Sequence, residues 1–169
     1  MRYRRATSDD AGGLGEVHVE GWRWGYRGLL PDADLAALDP VERAAKWAEW
    51  LGPDAPDDSF VIVAEDDAGV CGFVSAGATR DDDVRGGAEV YAIYLAGRAA
   101  SRGVGRVLLE RAEHELRCEG FTEAVLWVLA TNDRARAFYD KRGWHADGAT
   151  KTDPHRCGAQ PQVRYRRAL

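Results

Sequence analysis

Hydrophobic and polar residues follow two kinds of spacing along this chain. Seven short segments carry the alternation or the apolar run of a β-strand, and four longer ones carry the spacing of an amphipathic helix. The predicted strands are 2–6, 60–64, 70–76, 89–95, 124–129, 144–147 and 163–167. The predicted helices are roughly 7–26, 41–51, 104–119 and 132–142. This order predicts an α/β protein in which helices pack against a mixed sheet.

Size and composition indicate one folded domain over residues 1–169. The chain is 45% hydrophobic and 30% charged, as in ordinary soluble proteins. It has no apolar run of about 18 residues and no signal-peptide core, so we expect a cytoplasmic protein with no membrane partner. A net charge of −5 disfavours nucleic acid as a partner. Cys71, Cys118 and Cys157 are odd in number and widely separated, which predicts reduced thiols and no metal site.

A glycine-containing turn, Arg102-Gly103-Val104-Gly105-Arg106, leads from the strand at 89–95 into a helix. N–H groups in the first turn of a helix lack partners within the helix, and the helix dipole adds positive charge there. Glycine lets this backbone approach a ligand closely, so the turn predicts a site for a phosphorylated cofactor. A flexible helix start without a ligand is the alternative. Neither GxxxxGK[ST] nor an early GxGxxG is present, which disfavours nucleoside triphosphates and dinucleotides.

Three motifs carry a family resemblance. Residues 102–105 are similar to the second part of a pyrophosphate motif written [QR]xxGx[GA], and residues 132–144 to an NxxAxxFYxxxGF segment. His18, Trp22 and Tyr26 precede Gly-Leu-Leu-Pro at 28–31. Together these motifs resemble the GCN5-related N-acetyltransferase (GNAT) superfamily, in a bacterial branch whose substrates are mostly unassigned. The resemblance implies a mixed, mostly antiparallel sheet of about seven strands flanked by about four helices.

The resemblance also implies acetyl-CoA as the cofactor, with CoA as the product. The chain departs from the family pattern at the Gln/Arg position, which is Ala100, and at Ser101, where glycine is common. The resemblance implies that backbone N–H groups bind the phosphates, and a change of side chain leaves these groups in place. We therefore expect the loop to keep its ligand. The implied cofactor-binding residues are Tyr94, Leu95, Ala100, Ser101, Arg102, Gly103, Val104, Gly105, Arg106, Asn132 and Phe138. Asn132 is equally suited to cap the helix that follows it.

Two residues are candidates for proton transfer. The resemblance implies that Tyr139 lies near the CoA sulfur, where a phenol can protonate a departing thiolate. Glu89 stands sixteen residues before Gly105, which matches the spacing of the catalytic glutamate in the histone-acetyltransferase branch. The alternative for Tyr139 is a packed aromatic residue without a catalytic role. The alternative for Glu89 is a solvated carboxylate at the edge of a strand. His18 and His155 are the alternate bases.

The acceptor site is implied to lie against the N-terminal helices. The predicted acceptor-binding residues are Trp22, Tyr26, Leu29 and His155, with Trp24 in the same wall. The predicted reaction is direct attack by a primary amine on the thioester, so the cysteines need no role. A small-molecule amine is favoured over a peptide or protein amine. One alternative is a non-catalytic module that binds acyl-CoA. Another is an acyltransferase that uses a longer acyl chain or an oxygen acceptor. The resemblance implies a monomer or a homodimer.

Overall fold

A computed structural model describes residues 1–53, 55, 57–152 and 160–169. In these residues the helices are α1 (Ala11–Gly25), α2 (Asp32–Ala36), α3 (Pro40–Trp50), α4 (Val104–Cys118) and α5 (Asp133–Asp140). The strands are β1 (Arg2–Arg5), β2 (Ser59–Asp66), β3 (Gly69–Ala78), β4 (Ala88–Leu95), β5 (Glu123–Leu129), β6 (His145–Thr152) and β7 (Pro161–Ala168). The predicted fold class is confirmed. The difference is α2, whose five residues are too few to show a helical period in the sequence.

The seven strands form one sheet in the order β1-β2-β3-β4-β5-β7-β6. Neighbouring strands are antiparallel except β4 and β5, which are parallel. That parallel pairing joins only Ala88 with Ala124 and Glu89 with Val125. Beyond these pairs the two strands have no ladder between them, so the sheet opens into a gap lined by 90–95 and 126–129. This gap positions the candidate site.

Two apolar clusters cover the two faces of the sheet. On one face, Leu108, Leu109 and Leu116 of α4 pack with Ile62 and Val74. On the other face, Leu14 and Val17 of α1 and Trp47 of α3 pack with Val63 and Phe73. Adjacent residues of β2 and β3 point to opposite faces, so both strands are buried on both sides. In the described part of the chain no helix is both long and apolar enough to cross a membrane.

Gly15 allows α1 and α3 to pack closely, because a Cβ there would lie 2.5 Å from the carbonyl oxygen of Pro40 and 2.7 Å from the nitrogen of Ala44. Gly15→Ala is therefore expected to lower the free energy of unfolding by about 1–3 kcal/mol. The matched control is Gly12→Ala in the same helix, where a Cβ meets nothing within 4 Å. That control should raise stability by about 0.5 kcal/mol. Urea denaturation measures both variants, and equal effects would contradict the close-packing explanation.

Candidate active site

A cavity of about 470 Å³ occupies the gap between β4 and β5. The last turn of α1, the 100–106 loop and α5 close it. Most predicted site residues line it, namely Trp22, Tyr26, Tyr94, Leu95, Ala100, Ser101, Gly103, Val104, Gly105, Arg106, Asn132, Phe138 and Tyr139. Glu89, Arg102 and Leu29 are not among its lining residues, and His155 lies outside the described residues.

The predicted phosphate loop has an unusual backbone. Ser101 has a φ of +59°, and Gly103, the residue before α4, has a φ of +80°. In the described chain Ser101 is the one residue other than glycine in this left-handed region, which disfavours a side chain by roughly 1 kcal/mol. Among the described residues no side chain caps the start of α4, which leaves its first-turn N–H groups available to an anion. The Ala100 and Ser101 departures therefore leave a loop that retains its backbone donors.

Arg142 adds positive charge at this end of the cavity, where Arg106 also lies, paired with Glu110 at 3.0 Å. The Arg142 guanidinium lies 3.8 Å above the Phe138 ring, and its Nη1 donates to the Phe138 carbonyl at 2.8 Å. Its Nε is buried and has no hydrogen-bond partner among the described residues. A buried donor without a partner costs free energy that an acceptor oxygen recovers. The loop amides, Arg106 and Arg142 thus fit a phosphorylated group, and the sequence prediction had missed Arg142.

Helix α5 brings Tyr139 to the cavity. Asn132 caps this helix by accepting a hydrogen bond from the Ala135 N–H at 3.1 Å, so the capping interpretation is confirmed. The Tyr139 ring packs 5.2 Å from that of Phe138, 6.3 Å from Trp144 and 6.0 Å from Tyr165. Burial, with a smaller contribution from Tyr26, raises the pKa of Tyr139 far above its usual value. The phenol is consequently protonated at neutral pH.

The other end of the cavity is aromatic. Four-residue spacing aligns His18 and Trp22 of α1 with Tyr26, the residue that follows the helix, on one face. The Tyr26 and Tyr94 hydroxyl oxygens are 3.1 Å apart, and the His18 and Tyr94 rings are 5.0 Å apart. A Cβ at Gly21 would lie 2.8 Å from the Tyr94 Cβ, so a glycine is needed where α1 approaches β4. His18 belongs to this cluster but does not line the cavity.

Glu89 lies apart from this arrangement. Its side chain is almost fully buried and accepts hydrogen bonds from Arg80 through Nη2 at 2.5 Å, Nε at 3.1 Å and the backbone N–H at 3.2 Å. Both carboxylate oxygens of Glu89 are thus occupied by Arg80, and Glu89 is not among the residues that line the cavity. The predicted role of Glu89 as a base stays a prediction, and this geometry does not favour it.

Several lining residues were not predicted as site residues. Tyr91 and Trp127 lie on strands whose hydrophobic patterns predicted positions in the core. Gln162 lies in β7, at the start of the last described stretch of the chain. The Trp127 indole N–H donates to Asp81 at 2.9 Å, and Asp81 is bound in turn by Arg164 at 3.1 Å. The sequence shows no sign of these contacts, since 46 residues separate the first pair and 83 the second.

Family comparison agrees with this geometry. The chain belongs to the acetyltransferase (GNAT) family, whose model matches residues 22–144. The resemblance inferred from the three motifs is therefore confirmed, and with it the GNAT fold. Over 133 residues the chain is 33% identical to an uncharacterized N-acetyltransferase, YuaI, of Bacillus subtilis, which covers 78% of this chain and 73% of that protein.

Two solved structures share the fold. PaiA N-acetyltransferase from Thermoplasma acidophilum, solved in complex with coenzyme A, matches with a TM-score of 0.74 and 23% identity over 96% of each chain. YncA of Salmonella typhimurium, solved with its cofactor acetyl-CoA, matches with a TM-score of 0.71 and 21% identity. This second match covers 100% of the present chain and 94% of YncA.

Proposed function

We propose that this protein is an acetyl-CoA-dependent N-acetyltransferase that acts on a primary amine of a small molecule by direct attack on the thioester. One observation carries the proposal. A single cavity connects the free amides at the start of α4 with the Tyr139 phenol and an aromatic chamber beside α1. Family membership and the ligands named for PaiA and YncA support acetyl-CoA as the cofactor.

The cofactor would be held at several points along the cavity. The amides of loop 100–106, with Arg106 and Arg142, would bind the pyrophosphate. Beyond Glu89, β4 has no partner strand on its β5 side, so alternate N–H and C=O groups of residues 90–95 face the gap. These groups would pair with the amide groups of the pantetheine arm. Arg102, whose Nη1 lies 3.5 Å from the Arg98 carbonyl oxygen, would add charge outside the cavity.

The residues around the reacting atoms divide the remaining work. When bound, acetyl-CoA supplies an acyl group that is activated as a thioester. Tyr139, whose phenol lines the cavity and is protonated at neutral pH, would donate its proton to the departing sulfur. N–H groups of β4 near Tyr94 would stabilise the oxyanion. Trp22, Tyr26 and Leu29 would border the acceptor, and Trp22 and Tyr26 line the cavity.

The alternative is a non-catalytic acyl-CoA-binding module. Thermal unfolding with acetyl-CoA, free CoA and ATP tests the cofactor first, since a ligand at ~100 times its dissociation constant adds about 2.7 kcal/mol of stability. We expect stabilisation by acetyl-CoA and CoA and little effect of ATP. Release of free thiol in the presence of amines then separates an enzyme from a binding module. No shift at millimolar acetyl-CoA would refute the cofactor assignment, and a shift without thiol release would favour the module.

Exchanging the carboxylate of Glu89 tests the base that the family resemblance implied. Because this side chain is buried and bound by Arg80, we expect Glu89→Gln to lower the free energy of unfolding by about 1–3 kcal/mol. We expect kcat to stay within about threefold, since general-base catalysis contributes ~100-fold or more where it operates. Denaturation and steady-state kinetics measure the two effects.

Glu113→Gln is the matched control for Glu89→Gln. Glu113 is equally buried and accepts hydrogen bonds from the Trp144 indole and from Arg167, both at 2.9 Å. Both variants should lose stability and keep their turnover. A 100-fold loss of kcat in Glu89→Gln alone would instead support Glu89 as the base.

A further inference from the structure

Arg134 is the charged side chain of the cavity wall that contacts α1. Three arginines are the charged residues among the described lining residues, namely Arg106, Arg134 and Arg142. Arg106 and Arg142 also border a second cavity, beside α4 and the end of α5. They therefore lie at the end of the main cavity that contains the predicted phosphate loop. Arg134, in contrast, contacts Trp24 and Gly25 at the end of α1. It therefore belongs to the aromatic end, where the acceptor would bind.

The Arg134 side chain is exposed and contacts the end of α1 in two ways. Its central carbon lies 3.8 Å from the centre of the Trp24 ring, and Nη2 donates to the Gly25 carbonyl at 3.4 Å. No carboxylate pairs with Arg134 within the described residues, and its neighbour Asp133 lies 3.8 Å from Arg136 instead. A planar guanidinium that stacks on an aromatic ring and keeps free N–H donors is suited to bind a carboxylate through two hydrogen bonds.

Three carboxylates that adjoin lining residues in the sequence are already bound within the protein, whereas Asp133, beside Arg134, is exposed. Glu89, next to the lining residue Val90, is held by Arg80. Asp81, beside Trp127, is held by Arg164. Glu20, next to Gly21, accepts the Gly97 N–H at 2.7 Å. The acceptor end thus combines aromatic surface, tyrosine hydroxyls and one available guanidinium, which suits an acceptor with an anionic group better than a polyamine.

We propose that the acceptor is an aromatic amine that also carries a carboxylate, such as an aromatic α-amino acid, and that Arg134 binds this carboxylate. The inference rests on the proposed function, because it names the acceptor class of the same site. The aromatic body packs against Trp22 and Trp127, and the amine points to the Tyr26, Tyr94 and Tyr139 hydroxyls. A C–N bond forms and the C–S bond breaks, the nitrogen releases a proton to water, the sulfur takes one from Tyr139, and the Tyr139 phenolate regains a proton from water. Arg134 is thereby a specificity-determining residue.

A matched pair of acceptors tests this assignment. L-phenylalanine and phenethylamine differ only by the carboxylate, and spermidine serves as the polycation. We expect kcat/KM of the unmodified protein to be about 10- to 100-fold higher for phenylalanine than for phenethylamine, as one charge-assisted pair provides. Arg134→Gln should reduce this ratio to about 2 by raising KM for phenylalanine. Arg134→Lys should keep part of the preference.

A binding measurement and a control variant complete the test. Calorimetric titration of phenylalanine into the protein saturated with CoA should show the same weakening in Arg134→Gln as KM does. Arg136→Gln removes the same charge from the same helix, on a side chain that bonds the Ala130 carbonyl at 3.0 Å, and should leave the ratio unchanged. Equal use of the two amines, preference for spermidine, or no transfer to either aromatic acceptor would overturn the inference. The acetyl-CoA unfolding shift decides separately whether the proposed function survives.

Discussion

Tyr139→Phe is expected to lower kcat for acetyl transfer by about 100-fold or more, with KM for acetyl-CoA within about threefold. The substitution removes one hydroxyl and keeps the ring that packs against Phe138, Trp144 and Tyr165. The leaving sulfur then departs as a thiolate without a proton donor. Steady-state kinetics with thiol detection measures the loss, and denaturation should show a change in stability below ~1 kcal/mol.

Tyr165→Phe is the matched control for the loss of a hydroxyl. Tyr165 is buried against Tyr139 at 6.0 Å but does not line the cavity. The Tyr165→Phe variant should keep kcat within about twofold of that of the unmodified protein. Burial raises the pKa of Tyr139, so ionisation of this phenol should cause no decline of kcat between pH 7 and roughly 10. Turnover in Tyr139→Phe equal to that of Tyr165→Phe would exclude Tyr139 as the proton donor.

Arg164→Met is expected to lower the free energy of unfolding by about 3–5 kcal/mol. Arg164 is 5% exposed and binds Asp147 through Nε at 2.7 Å and Asp81 at 3.1 Å. Without the guanidinium, both carboxylates stay largely buried next to a neutral side chain. Its bonds to Asp83 contribute less, because the Asp83 side chain is 66% exposed. Urea denaturation measures the loss, and a loss below ~1 kcal/mol would contradict this account.

Arg166→Met is the matched control, since Arg166 also binds Asp147 but its side chain is 28% exposed. It should cost about 1 kcal/mol. Acid titration gives a second comparison. Burial of Asp147 alone would raise its pKa, but hydrogen bonds from the Ala149 N–H, Arg164 and Arg166 outweigh this and lower it.

Because the pKa of Asp147 is lower in the folded state than in the unfolded state, acid reduces the contribution of Asp147 to the free energy of unfolding. The stabilisation by Asp147 is present above the unfolded pKa of about 3.9 and is lost as the pH falls through the lower folded value. The loss of stability on acidification should therefore be smaller in Arg164→Met than in the unmodified protein. Parallel stability curves for the two proteins over this range would contradict the role of Arg164 at Asp147.

The Arg164 cluster also connects stability with the candidate site. Asp81 accepts the Trp127 indole N–H, and the Arg164 guanidinium lies 5.5 Å from the Trp127 ring. Asp81 and Arg164 do not line the cavity, but their contacts fix the position of Trp127, which does. Arg164 thus positions Trp127, which the proposed acceptor would contact, so substitutions that disturb the cluster should raise KM for the acceptor.

Local sequence determined much of this protein. The two-residue and helical periods placed the seven strands and four of the helices within a few residues, because each is set by neighbouring side chains. The glycine turn before Val104 and the Asn132 cap were visible for the same reason, since both act over a few backbone units. The family motifs placed Tyr139 and Phe138 together because α5 carries both.

Tertiary structure decided what depends on residues far apart in the chain. It assigned the Glu89 carboxylate to Arg80, turned Trp127 towards Asp81, and brought Arg134 of α5 onto Trp24 of α1. The opening between β4 and β5 is likewise invisible in either strand alone, because it arises where their pairing stops. Periodicity reports which face of an element is buried, whereas the partner of a buried charge depends on how separate elements pack. The sequence therefore determined the fold and the glycine-containing loop, and packing decided the aromatic end of the cavity and the charges around it.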